Sequence, residues 1–317
     1  MQNPQRVCQT RPGAAVLGCL LLALFLSTGA SAGEQAKSEE YLRGMVHSAQ
    51  YTLNQGKSLY QEGEKQQARA LFSQCRRLLL RADDLAGPEL QQRMDNIFER
   101  FYQEMSELDP QIGRQYAQIE EQVEDTYREK PVYAGQVRYF VDYLLENKKE
   151  FLKNSFRRAY KYMPMISREF SQAGIPEDLA YMALIESGFR PYPESHANAK
   201  GLWQFIPETA RRYGLQVGDG VDEREDPVKS TRAAAQYLTF LHEKFGDWPL
   251  AVAAYNCGEG RVARALEEHD ADSYWDLVER EGLPLETQRY VPSIIAATLI
   301  SRDLEKYGLA EVVARTD

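Results

Sequence analysis

Gly174-Ile175-Pro176-Glu177-Asp178-Leu179-Ala180-Tyr181-Met182-Ala183-Leu184-Ile185-Glu186-Ser187-Gly188 begins with a glycine and a proline and stops at a glycine. Proline is tolerated in the first turn of a helix, where its missing N–H is not needed, and glycine takes the left-handed turn that ends one. The stretch therefore predicts a helix that opens at Pro176 and closes at Gly188. Within it Leu179, Met182, Ala183 and Glu186 fall at i, i+3, i+4 and i+7, on one face. A carboxyl group that continues an apolar face loses hydration, so its pKa rises and it keeps its proton nearer neutral pH. That makes Glu186 a candidate proton donor. The competing reading of a lone glutamate near a helix end is a side chain that merely reaches water.

The same punctuation recurs downstream, where Asp226-Pro227 opens a helix that Gly246 closes and Asp247 with Pro249 opens another. Short alternating runs rich in Val, Ile and Thr are nearly absent, so an all-α fold is expected. Residues 37–129 are polar, with Leu59, Ala68, Leu71, Phe72, Leu78 and Leu79 at helical spacing. Gly56, Leu59, Ala68 and Phe72 have the spacing of half a tetratricopeptide repeat, but such arrays need about three repeats to bury a continuous core. After Lys130-Pro131 the chain thickens in apolar and aromatic residues, with Tyr139, Phe140, Tyr143, Leu144 and Phe151. A boundary is expected near Pro131, between a helical N-terminal region over 33–130 and a part over 131–317 that is long enough for its own core. On that expectation, deleting Gly33 to Lys130 leaves a folded second part; in the opposing reading Tyr51, Leu59 and Phe72 pack against it.

Composition narrows the function. The 317 residues are 43% hydrophobic and 27% charged, an ordinary globular balance too apolar for disorder. Residues 1–32 read as a cleaved secretory signal: Arg6 and Arg11 start it, Ala14 to Leu26 is uncharged and mostly apolar, and Ala30-Ser31-Ala32 is a small-residue cleavage site. The 13-residue stretch is shorter than the roughly 20 residues that span a bilayer. Cys19 as a lipidated first residue, with the membrane association that would follow, is the disfavoured alternative because Leu20 to Leu26 continue the apolar run beyond it. The formal net charge is -9, and losing Arg6 and Arg11 takes it to -11; with no basic stripe, a nucleic-acid partner is not expected. Cys75 and Cys257 remain after the leader, in a compartment that allows a bridge, but nothing in the sequence brings them together.

Several chemistries drop out. His47, His196, His242 and His269 are scattered, with no His-Glu-x-x-His or Cys-x-x-Cys, so no metal is implied. Gly258-Glu259-Gly260 has neither the spacing nor the preceding strand of a phosphate loop, and Ser187 is not in a Gly-x-Ser-x-Gly turn. No cofactor is called for.

What lifts Glu186 above the bland reading is its company: Ile185-Glu186-Ser187-Gly188-Phe189, then Gly201-Leu202-Trp203-Gln204-Phe205, then Ala254-Tyr255-Asn256. In these three motifs, in this order, the sequence resembles the lytic transglycosylase family, lysozyme-like enzymes that cut bacterial peptidoglycan, and most of all its membrane-bound lytic murein transglycosylase D branch. The resemblance extends from about Tyr139 to Pro292, through Leu179 to Leu184, Val221-Asp222-Glu223-Arg224 with Asp226-Pro227, and Glu286-Thr287 with Tyr290-Val291-Pro292. That branch often carries a lipidated N-terminus and C-terminal LysM modules. Neither is evident between Met1 and Asp317, so anchoring or wall binding by those means is not expected.

The resemblance implies a lysozyme-like helical catalytic part over 131–317 and a periplasmic location. It also implies that one glutamate, Glu186, acts first as acid and then as base while the C6 hydroxyl of the sugar closes a 1,6-anhydro ring. A second carboxylate, which glycosidases usually pair with the acid, is not identified from the residues. The resemblance places Ser187 near the sugar. Gln204 and Asn256 each offer amide donors and an acceptor to a substrate, and Tyr255 and Tyr290 can hydrogen-bond Glu186 or the sugar. Trp203 is a candidate for stacking on sugar, followed by Phe205, Tyr237 and Trp248, although aromatic residues are more often core. His196, in the loop between Gly188 and Gly201, has no expected role. The expected partner is the peptidoglycan glycan strand. Two rivals stay open: a lysozyme-type hydrolase using water at the same site, and a non-catalytic glycan-binding helical protein.

Overall fold

The computed structural model describes residues 32–83, 86–108, 134–193, 195 and 198–315. Residues 1–31 of the expected leader, Pro131 and His196 lie outside them. The described chain is helical almost throughout, as expected. Helices α1 (Ala32–Gln61), α2 (Lys65–Asp83) and α3 (Pro88–Leu108) lie in the first two described segments. After them come α4 (Ala134–Asn147), α5 (Lys149–Gln172), a 3-10 turn (Glu177–Tyr181), α6 (Met182–Ser187), α7 (Pro207–Arg212), α8 (Pro227–Phe245), α9 (Trp248–Cys257), α10 (Glu259–Glu268), α11 (Tyr274–Glu279) and α12 (Leu285–Arg302). Among the described residues the only strands are β1 (Val217–Gly218) and β2 (Val221–Asp222), a two-residue antiparallel pair. No described helix is long and apolar enough to cross a membrane.

Capping follows the sequence. Asp226 accepts hydrogen bonds from the backbone N–H groups of Val228 and Lys229, each at 2.9 Å, and Asp247 accepts one from Leu250 at 3.0 Å. Gly246, with φ +70°, ends α8 by donating to the His242 carbonyl at 2.8 Å. The element around Glu186 differs from its expectation. Pro176 opens a 3-10 turn, and α-helical geometry begins only at Met182. Leu179, Met182, Ala183 and Glu186 are all buried, but so are the residues between them except Tyr181. A segment enclosed on every side needs no polar face, and the periodic stripe was one part of a wholly interior element.

The core is a single buried cluster that runs from Leu42 in α1 to Val312. In the hairpin of α1 and α2, Gly56 lets α1 approach Phe72, since a Cβ there would lie 2.5 Å from the ring. Ala68, Phe72 and Cys75 point inward, while Tyr51 is 60% exposed and Leu59 only partly buried. Both described cysteines are free thiols, and burial pushes the Cys75 thiol up to about 12.

Helix α12 is the axis of the fold. Every residue from Thr287 to Ile300 is buried, and Pro292 lies inside it. A proline there cannot donate to the carbonyl four residues back, that of Gln288. The Tyr274 hydroxyl, from α11, donates to that oxygen instead at 2.8 Å.

The parts before and after the expected boundary are packed together by polar as well as apolar groups. Arg289 of α12 donates to both oxygens of Asp83 (α2) at 2.8 Å and to Asp95 (α3) at 2.7 Å. Tyr139 of α4 lies 4.3 Å from Phe98 of α3, ring centre to ring centre. Asp142 of α4 accepts from Tyr102 of α3 and pairs with Arg76 of α2 at 3.0 Å. Removing residues 33–130 would strip the cover from Tyr139 and leave Asp142 and Arg289 without these partners. Total stability is only about 5–15 kcal/mol, so such a loss is not absorbed. The deletion is thus expected to abolish the cooperative melting transition followed by circular dichroism; a cooperative transition in the truncated chain would show that the second part folds alone.

Candidate active site

Glu186 lies near the end of the six-residue helix α6 and is 2% exposed. The helix stops at Gly188, whose φ of +59° suits glycine and whose position could not hold a side chain, since a Cβ would lie 2.8 Å from the Phe151 ring and the Ser155 hydroxyl. Two cations close its carbonyl end: Arg158 donates to the Gly188 carbonyl at 2.7 Å and Arg190 to that of Ser187 at 3.0 Å. Ser187 is fully buried, and its hydroxyl lies 3.0 Å from the Ala183 carbonyl and 2.9 Å from that of Leu202. Its place is between α6 and the segment that carries Gln204.

That segment, Gly201 to Phe205, is a tight loop with φ +84° at Gly201 and +49° at Gln204. A Cβ at Gly201 would lie 1.8 Å from the Arg224 carbonyl oxygen, so only glycine fits. Arg224 is itself 2% exposed; it pairs with Asp222 at 2.6 Å and donates to the carbonyls of Asn198 at 2.6 Å and Phe205 at 3.0 Å. Its planar guanidinium holds the loop from both ends. The Gln204 amide nitrogen donates to Gly201 at 3.0 Å and Pro193 at 3.2 Å, which leaves the amide oxygen buried without a partner among the described residues. Trp203 is fully buried, donates to the Thr231 hydroxyl at 2.9 Å and packs 5.4 Å from the Phe170 ring. That leaves its ring no face for a sugar: its side chain belongs to the core. Phe205 and Tyr237 are buried as well, and Trp248 stacks on His242 at 4.0 Å.

Helix α9 brings Tyr255 and Asn256. The Tyr255 hydroxyl donates to the Trp203 carbonyl at 2.8 Å, tying α9 to the same loop. Asn256 accepts from the Thr287 hydroxyl at 2.7 Å with one end of its amide, while the other is buried without a partner among the described residues. Helix α12 adds Tyr290, whose hydroxyl donates to Glu186 Oε1 at 2.5 Å. Glu186 Oε2 is buried and unpartnered among the described residues.

Burial pushes Glu186 well above the ordinary glutamate value; the Tyr290 hydrogen bond opposes the rise, and the nearby negative charge of Glu286 adds to it. Burial raises Glu286 too, although the amide of Asn256 lies close enough to pull it back. Burial first, and the charge of Glu186 second, push Tyr255 well up, so it stays a neutral donor. Glu186 Oε2, Glu286 Oε1 and the Asn256 amide nitrogen, linked through Glu286, have no hydrogen-bond partner among the described residues, and nor does the amide oxygen of Gln204, on the loop that Tyr255 ties to α9. Buried polar groups are rarely left unsatisfied, and a cluster of them is where a ligand's hydroxyl and amide groups can bind. No group of three metal-ligating side chains is found among the described residues.

The sequence reading missed Glu286 and Arg224. Both lay in stretches noted for likeness alone, yet Glu286 and Tyr290 stand at i and i+4, which puts them on one helix face. That spacing was the available signal. Arg224 gave none, because nothing in a sequence tells a buried arginine from a solvated one.

Residues 164–278 match the transglycosylase SLT domain. Over 179 residues the chain is 38% identical to membrane-bound lytic murein transglycosylase D of Escherichia coli (strain K12), covering 53% of this chain and 39% of that protein. It is 35% identical over 123 residues to membrane-bound lytic murein transglycosylase C of Histophilus somni (strain 2336), covering 34% of each. The chain therefore matches well under half the length of these relatives. A solved structure, the 70 kDa soluble lytic transglycosylase of Escherichia coli, is similar with a TM-score of 0.43 and 22% identity, covering 82% of this chain and 47% of that one.

The Tyr290 hydrogen bond has a measurable consequence. It favours the ionised carboxylate, so Tyr290→Phe raises the Glu186 pKa further and keeps the acid protonated to higher pH. For any reaction that takes the Glu186 proton, the alkaline limb of the pH–rate profile moves to higher pH. A hydrogen bond to a charged group is worth about 1.5–3 kcal/mol, so kcat is expected to fall roughly 10–100-fold. An unmoved limb would mean that the hydroxyl does not act on Glu186.

Proposed function

We propose that this chain is a peptidoglycan lytic transglycosylase that cleaves the bond between N-acetylmuramic acid and N-acetylglucosamine. The observation that carries the reading is Glu186: a buried carboxyl in the stretch that matches the SLT domain, held at one oxygen by Tyr290 and without a hydrogen-bond partner among the described residues at the other. Its proton goes to the glycosidic oxygen as the bond to the muramic acid C1 breaks. The C6 hydroxyl of the same sugar then attacks C1 and returns its proton to the Glu186 carboxylate, closing a 1,6-anhydro ring with no water consumed. A donor kept protonated near neutral pH suits the first step, and the carboxylate it becomes suits the second. In this reading the unpartnered amide ends of Gln204 and Asn256 bind hydroxyl and N-acetyl groups of the substrate. Ser187 and Tyr255 hold the supporting loop and helix.

Glu286 is the observation that favours a lysozyme-type reaction, since a second carboxylate can activate water. Burial raises its pKa also, which disfavours the ionised form that a base or a counter-charge requires, so the anhydro route is the better fit. In this reading the leader over 1–32 carries the chain to the periplasm and is removed with Cys19, without lipidation.

Glu186→Gln is expected to abolish cleavage of purified sacculi and leave the fold intact or slightly more stable, because an amide of the same size replaces a buried ionisable group. Undiminished cleavage would refute the assignment. Mass spectrometry of the wild-type products is expected to find 1,6-anhydro-N-acetylmuramic acid ends; reducible ends as the main product would support the hydrolase.

A further inference from the structure

Arg289 precedes Tyr290 on α12 and is 5% exposed. Successive helical residues lie about 100° apart around the axis, so the two side chains leave α12 on different faces. Tyr290 meets Glu186 on α6. Arg289 enters a polar pocket built by three other helices: Asp83 of α2 takes two hydrogen bonds at 2.8 Å, Asp95 of α3 one at 2.7 Å, and the Tyr139 hydroxyl of α4 one at 3.0 Å. Tyr139 and Phe140 also flank the guanidinium, 5.2 and 5.1 Å from its carbon.

We propose that Arg289 is a positioning residue: through Asp83 and Asp95 the N-terminal helices fix the rotation and register of α12, and so set the Tyr290 hydroxyl on the Glu186 carboxyl.

From Val291 to Ile300 the buried side chains of α12 are mostly apolar, and apolar packing is non-directional; the Thr298 hydroxyl adds a bond to the Asp178 carbonyl at 3.3 Å, two turns beyond Tyr290. Pro292 also removes one rung of its backbone ladder, leaving the helix easier to bend at that turn. A guanidinium whose two terminal nitrogens each face a different fixed carboxylate is directional, because its planar group tolerates little rotation between them. The leverage is large. A tyrosine hydroxyl stands roughly 9 Å from a helix axis, so about 10° of rotation moves it roughly 1.5 Å, enough to break its hydrogen bond. Misplacement of about 1 Å at a reacting group costs on the order of 100-fold in rate. The other polar ties of this stretch, from Tyr274 to the Thr287 and Gln288 carbonyls and from Thr287 to Asn256, reach α11 and α9 and leave the side facing α2 and α3 to Arg289.

The inference rests on the reading of Glu186 as the acid, and the test separates the two. The full-length chain is compared with Arg289→Met, Arg289→Lys, Tyr290→Phe, the double variant Arg289→Met with Tyr290→Phe, and Glu186→Gln, all on soluble glycan strands. Arg289→Met is expected to lower kcat 10-fold or more with KM changed less than about twofold, and to move the alkaline limb to higher pH in the direction of Tyr290→Phe. Besides Glu186, the groups that bear on this limb are Tyr290 and Glu286 from α12 and Tyr255 from α9; around Arg289 they are Asp83, Asp95, Tyr139 and, behind Asp95, Glu99. Arg289→Lys is expected to restore part of kcat. The double variant is expected to be no slower than Tyr290→Phe alone, since Arg289 would act only through that hydroxyl. If the two effects multiply, or if Arg289→Met leaves kcat and the profile unchanged while Glu186→Gln is inactive, the inference is overturned and the function stands. Cleavage by Glu186→Gln would overturn the function itself. Should Arg289→Met lack native near-ultraviolet circular dichroism, Asp95→Asn takes its place in the same cycle with the same outcomes deciding.

Discussion

A guanidinium with no access to water has to be answered by protein, and at Arg289 the answer comes from three helices at once. Asp83, Asp95 and Tyr139 converge on it because removing one partner from a buried charge costs about 3–5 kcal/mol. This constraint ties the start of the described chain to its last long helix, and every other part of the site is built around that helix. Apolar packing alone would hold α12 in the interior without specifying which of its faces meets α6.

The polar groups fall into two sets. Those that build the scaffold are satisfied: Arg224 across its loop, Ser187 on two carbonyls, Tyr255 on Trp203, and Tyr274 on the oxygen that Pro292 leaves free. Those that face the catalytic candidate are half satisfied. Gln204 and Asn256 each spend one end of the amide on the fold and keep the other, and Glu186 divides its two oxygens in the same way. One end supplies orientation and the other supplies recognition, which is how a buried site can be rigid before its ligand arrives.

Much of this was legible before any coordinates, for reasons that differ by residue. Asp226-Pro227, Gly246 and Asp247 announced helix ends because capping is local chemistry, settled within one turn of the chain. Glu186 stood out because a carboxyl on an apolar face is an anomaly and because the Gly201–Phe205 and Ala254–Asn256 motifs accompany it; the 3-10 turn before Met182 did not hide it. Trp203 shows the limit. An aromatic ring beside a catalytic motif reads equally as platform or as core, and only the closure of Phe170 and Thr231 around it decides. The Arg289 cluster was not legible at all, because Asp83 and Asp95 stand about two hundred residues away in sequence and carry no local mark of burial.

Asp95 and Glu186, buried, and Glu99 and Glu286, partly buried, are acids held above their ordinary values, Asp95 at about 7 and Glu99 at about 8. In the unfolded chain the same groups lose their protons from about pH 4 upward, near their unperturbed values of 3.8 and 4.5. Between those limits the folded state binds more protons than the unfolded one, so folding takes protons up from solution and stability declines as pH rises through the window. The usual paired carboxylate does the reverse, holding a fold together until acid releases it. At these four groups acidity and burial are linked in the opposite sense: a mildly acidic medium supplies what the folded interior retains and an alkaline one withdraws it, while Glu169, Asp222, Glu223 and Glu259, held below the ordinary range by their partners, follow the usual rule.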